Sequence, residues 1–115
     1  MSLKAALKNF VLSNIELPEI KQEIDQYRSI TEKNIFNLRD QKIIGEDIAE
    51  KVYQDFEQIR RLEDKMKKTQ EKLAESETFL TEHLRPLEGK SIGVEGGGGS
   101  RYFVKLEGGK LSFNA

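Results

Sequence analysis

The chain has 115 residues, 34% of them charged and 37% hydrophobic, with no cysteine and a formal net charge of −1. Its mean hydropathy of −0.62 is lean for a globular core but suits long solvated helices, in which only one stripe needs to be apolar. Balanced charge supplies no field toward nucleic acid or an anionic membrane, and the lack of Cys excludes disulfides and thiolate metal sites.

The N-terminus, Met1 to Lys8, lacks the continuous apolar run and small-residue cleavage site of a secretory signal. No segment reaches the roughly 18 apolar residues of a membrane span. The expected setting is cytoplasmic, or a virion if the chain is a viral structural protein. From the start, Leu3, Leu7, Phe10, Val11 and Ile15 recur at helical spacing. Pro18 either occupies the first turn of a new helix or kinks one long helix. Beyond it the pattern resumes with Ile20, Ile24, Tyr27, Ile35 and Leu38, flanked by Ile30 and Phe36.

Ile43-Ile44-Gly45-Glu46-Asp47 reads as a helix end, a left-handed glycine cap and an acidic helix start. The cleanest run follows: Ile48, Val52, Phe56, Ile59, Leu62, Met66, Leu73, Leu80 and Leu84, with polar positions near Thr69 and Glu77. Pro86 ends it. Residues 3–43 and 46–85 are therefore two arms of a long antiparallel, coiled-coil-like helical hairpin, the first broken near Pro18 and each about 60 Å long. Asp47/Lys51, Glu57/Arg61, Glu63/Lys67 and Asp64/Lys68 are acid-before-base pairs four residues apart, the pattern of a solvated face. Ile30, Phe36, Tyr53 and Phe79 lie beside the seam. They imply a stripe wider than one hairpin covers, to be met by a second copy, a folded-back N-terminal helix or another protein; an irregular hairpin is the plainer alternative.

Composition changes between Pro86 and Gly89, and eight of the nine glycines lie beyond it. Residues 1–88 are expected to form the helical hairpin, 89–100 a Gly-rich linker and 101–115 a β-hairpin tail. Residues 1–88 carry 15 basic and 18 acidic side chains, the remainder 4 and 2. Gly96 to Ser100 is flexible by composition and has the form of a spacer inserted between fused parts, which leaves an engineered fusion open.

In the tail, two alternating runs flank Gly108-Gly109, the signal for a two-residue hairpin turn. Folded there, Leu106 faces Leu111, Val104 faces Phe113 and Tyr102 faces Ala115, giving one wholly apolar face. The other face pairs Glu107 with Lys110, Lys105 with Ser112 and Phe103 with Asn114. A lone hairpin is marginal in water, so Tyr102, Val104, Leu106, Leu111 and Phe113 are the expected partner-binding residues. Their cover is the chain's own helices, a second subunit or another protein's sheet edge.

Catalytic chemistry finds no constellation. The single histidine, His83, sits among Glu82 and Arg85 at a helix end. Gly89-Lys90-Ser91 lacks the earlier glycine and the following helix of a phosphate-binding loop, and no calcium loop is present. Arg101 to Lys105 mixes cations with aromatics, too weakly to expect nucleic-acid binding. No cofactor, metal or small-molecule substrate is expected. The sequence points to a non-catalytic structural or adaptor subunit of a larger assembly, such as a virion or another multiprotein machine. It would bind a protein partner or itself through the helical stripe and the tail. The alternatives are a fusion of a helical protein to a peptide, or a helical chaperone or secretion adaptor.

Overall fold

A computed structural model of the chain describes residues 1–39 and 46–115, without the side chains of Leu38, Glu46, Asp47 and Ile48. The turn expected at Gly45 lies outside the described residues. Two long helices, α1 (Leu3–Arg39) and α2 (Glu46–His83), pack together as the expected hairpin. A three-stranded antiparallel sheet follows: β1 (Ser91–Glu95), β2 (Arg101–Glu107) and β3 (Lys110–Asn114). Ser2 caps α1, its hydroxyl accepting from the Ala5 N–H at 3.1 Å. Pro18 lies inside α1, which runs on through it, so the first arm is one helix rather than two. Pro86 sits in the short 3-10 turn Arg85–Leu87 just past α2.

The chain forms two compact units: Pro18–Lys67, and Met1–Leu17 together with Lys68–Ala115. In the first, Ile20, Ile24 and Ile59 are buried, with Tyr27, Leu62 and Met66 packed against them. Arg28 bridges to Glu63 at 2.9 Å across the two helices. Glu63 therefore reaches the opposite helix, where the sequence pattern had suggested Lys67 on its own.

The seam alternates steps of three and four residues. On α1 it runs through Ile20, Ile24, Tyr27, Thr31 and Asn34, and on α2 through Val52, Asp55, Ile59, Leu62 and Met66. The expected seam residue Phe56 is displaced by Asp55. Both lie within a turn of Ile59, but the strict alternation of three and four selects Asp55, and Phe56 stands half exposed. The buried Thr31 hydroxyl donates to the Tyr27 carbonyl at 2.8 Å, which satisfies it within its own helix.

The second unit is built on one core. Ala6, Leu7, Phe10 and Val11 of α1, Leu80 of α2 and Leu84 just past its end bury Val94, Val104 and Leu106 of the sheet. The Phe113 ring meets Phe10 edge to face at 5.8 Å and Tyr102 at 6.1 Å. Ser76, fully buried in the seam, donates to the Lys72 carbonyl at 2.7 Å.

The β2–β3 register is the expected one: Val104 opposes Phe113, Lys105 opposes Ser112, Leu106 opposes Leu111 and Glu107 opposes Lys110. Gly108 (φ 58°) and Gly109 (φ 74°) both take the left-handed region, as the two-residue turn requires. The expected linker 89–100 is corrected by a third strand. Ser91–Glu95 pairs with Arg101–Lys105, and Gly96–Ser100 closes the loop between them, the Gly96 N–H donating to the Ser100 carbonyl at 2.7 Å. The glycine run is thus a hairpin loop inside one sheet.

These pairings also fix which way the backbone points. In a two-residue hairpin the flanking residues, here Glu107 and Lys110, form a hydrogen-bonded pair. Phe103 and Lys105 then direct their N–H and C=O groups toward β3, and Tyr102 and Val104 direct theirs toward β1. Their partners Val94 and Ile92 bond to β2. Ser91, Gly93 and Glu95 consequently present their main-chain groups to the open edge of the sheet. The bond from Gly96 to Ser100 independently gives the same alternation.

Candidate functional site

The five residues expected to bind a partner share one face, as their alternation required, but that face is turned inward. Val104 is 0% exposed and Leu106 is buried, while Tyr102, Leu111 and Phe113 pack half-buried against the same core. The chain's own helix ends cover the sheet. Of the covers the sequence left open, the chain's own helices are the one the fold uses. The cause is the third strand, which makes a sheet wide enough to close over Phe10, Leu80 and Leu84.

Exposed apolar surface lies elsewhere, on the unit Pro18–Lys67. Phe36 is 51% exposed, Tyr53 64% and Phe56 50%, with Ile30 also open to solvent. Tyr53 and Phe56 are three residues apart on α2 and so neighbour each other on its surface. Phe36 stands on α1, which runs antiparallel beside it, and a shallow depression lined by Ser29, Glu32, Lys33 and Asn37 adjoins its ring. Tyr53 and Phe56 thus form an exposed aromatic pair on α2, and Phe36 is a separate exposed ring on α1. Ile30, Phe36 and Tyr53 were distinguishable in sequence as lying beside the seam. Phe56 was not, because its spacing also fitted the seam. Phe79, grouped with them on the same grounds, packs against the core of the other unit and stacks on His83 at 3.8 Å.

That stack, together with a 2.9 Å contact from His83 Nδ1 to the Phe79 carbonyl, ties the histidine to its own helix end. Among the described residues no three His, Cys, Asp or Glu side chains group so as to hold a metal ion. Among them, too, no helix is long and apolar enough to cross a membrane. The Gly89-Lys90-Ser91 stretch leads into β1 and has no helix after it to aim N–H groups at a phosphate.

One buried polar feature is unexplained by packing alone. Asn34 on α1 and Asp55 on α2 continue the seam spacing beyond Thr31 and Ile59. Asn34 Nδ2 and Asp55 Oδ2 are buried without a hydrogen-bond partner among the described residues. Compared with protein-family models, curated proteins and solved structures, the chain matches none, so geometry alone carries its functional reading.

Proposed function

We propose that the chain is a non-catalytic structural or adaptor subunit that holds a protein partner against the helical hairpin, around Phe36, Tyr53 and Phe56. The observation that supports this is the exposure of those three rings on one unit, half or more of each in solvent. Aromatic side chains give large contact area for little lost rotamer freedom, and they anchor protein interfaces far more often than they decorate free surfaces. The tail has a different role in this reading: it closes the end of the hairpin instead of reaching for the partner.

The test is migration in extract of the cell that makes the protein. The native chain should run in a complex well above its own 13.2 kDa. The triple variant Phe36→Ser, Tyr53→Ser, Phe56→Ser should run free while melting at nearly the same temperature, since the rings contribute little to the chain's own core. A native chain found only as a free monomer, or a triple variant still held in the complex, would overturn the proposal.

A further inference from the structure

We infer that the open edge of β1 is a second binding site, which takes an extended acidic peptide segment as a fourth strand. It is separate from the exposed aromatic residues of the hairpin and does not depend on them. A groove of about 560 Å³ runs between the first turns of α1 and this edge. Its apolar floor is Leu3, Leu7 and Val94, and its rim carries Lys4, Lys8 and Arg101 against the single acid Glu95.

The main chain at this edge is unspent. Ser91, Gly93 and Glu95 direct their N–H and C=O groups away from β2, and no described backbone group bonds to them. Open edges invite strand addition unless they are blocked by proline, a bulge or an inward-pointing charge. β1 has none of these. Its middle residue is glycine, and that glycine is what brings Arg101 to the edge. A Cβ on Gly93 would stand 2.7 Å from Arg101 Nη2, so the guanidinium lies across the bare backbone of β1. The Phe103 ring supports it from behind, 5.7 Å away.

The occupant follows from these features. Alternating donors and acceptors along the edge match a peptide main chain; a phosphodiester backbone has no N–H groups to donate to the carbonyls. An added strand places alternate side chains toward α1 and toward solvent. Apolar side chains on the inner side would rest on Leu3 and Leu7. Acidic ones would meet Lys4 and Lys8 along the rim and Arg101 over Gly93, with the positive end of α1 adding to the same field. A second copy of this chain fits poorly, because pairing β1 with its own copy about Gly93 would line up the lysines and arginines of both chains.

The experiment is fluorescence anisotropy of a labelled peptide alternating Glu and Val, titrated with the full chain. Saturable binding that weakens with added salt is expected. The alternating Lys and Val peptide should bind at least about tenfold more weakly. A Glu–Val peptide N-methylated at alternate residues, unable to donate along one edge, should lose binding, a control that leaves the protein untouched. Lys4→Glu with Lys8→Glu should likewise lower affinity by about tenfold or more, because both cations face the groove. Gly93→Pro, which removes an outward N–H and crowds Arg101, should abolish binding while circular dichroism stays that of the native fold. The proposal is overturned if the Glu–Val peptide does not bind, if the Lys peptide or the N-methylated peptide binds equally well, or if the chain dimerises through this edge and thereby occupies it.

Discussion

Asp55 sits 8% exposed in the seam with Oδ2 unpartnered among the described residues, and Asn34 of α1 likewise has an unpartnered Nδ2. Replacing it, Asp55→Leu, should stabilise the Pro18–Lys67 unit. An unsatisfied buried acceptor costs about 1–3 kcal/mol, more when charged. A buried leucine returns about 1.5–3 kcal/mol of transfer free energy. Against this stands imperfect fit of the new side chain, about 1–3 kcal/mol; the Asn34 amide is unpartnered before and after the change and drops out of the difference. The net expectation is a gain of about 1–3 kcal/mol, on the order of 5–15 °C in melting temperature for a domain of this size. Asp55→Asn, which replaces the buried carboxyl by a neutral amide without apolar gain, should give a smaller rise. Thermal unfolding followed at the helical band measures both. A loss of stability in Asp55→Leu would show that the carboxylate is well partnered in solution, and would refute the reasoning.

Four further substitutions probe the other unit. Val104→Ala, at a fully buried position in a core shared by sheet and helices, should cost about 1–3 kcal/mol and lower the helical and the sheet transition together, whereas Ser112→Ala on the open face should change stability by less than about 0.5 kcal/mol. A Cβ on Gly96 would fall 2.4 Å from the Tyr102 ring while one on Gly97 meets nothing, so Gly96→Ala should destabilise and Gly97→Ala should be neutral or stabilise by up to about 1 kcal/mol in denaturant titrations.

The architecture was legible where one physical signal dominated. Threes and fours of apolar residues specified two long helices, and alternation about Gly108-Gly109 specified the β2–β3 register residue by residue. Three features escaped for identifiable reasons. Hydrophobicity favours Phe56 over Asp55 as a seam residue, and only the neighbouring layers on both sides decide for the aspartate. Ser91-Ile92-Gly93-Val94-Glu95 alternates like a strand, but its glycine and the following glycine run read as linker; that glycine leaves room for the guanidinium of Arg101, on a strand eight residues away in sequence. Missing β1 then left the apolar face of the tail without enough sheet to cover it internally, which turned a core into an expected docking face. Pro18 was ambiguous for a simpler reason: its fixed φ suits a helix, and α1 continues through it at the loss of one backbone bond.

Amide hydrogen exchange on the isolated chain at micromolar concentration tests the central claim most directly: that the sheet is three-stranded, covered by its own helices and open at β1. The account predicts slow exchange at Ile92, Val94, Tyr102 and Val104, whose N–H groups point between β1 and β2, and at Phe103 and Lys105, which face β3. It predicts fast exchange at Ser91, Gly93 and Glu95, giving an every-other-residue pattern along β1. Fast exchange throughout residues 91–114 would mean that the tail does not fold on its own helices, and uniform protection along β1 would mean that its edge is already taken; either result would contradict the account.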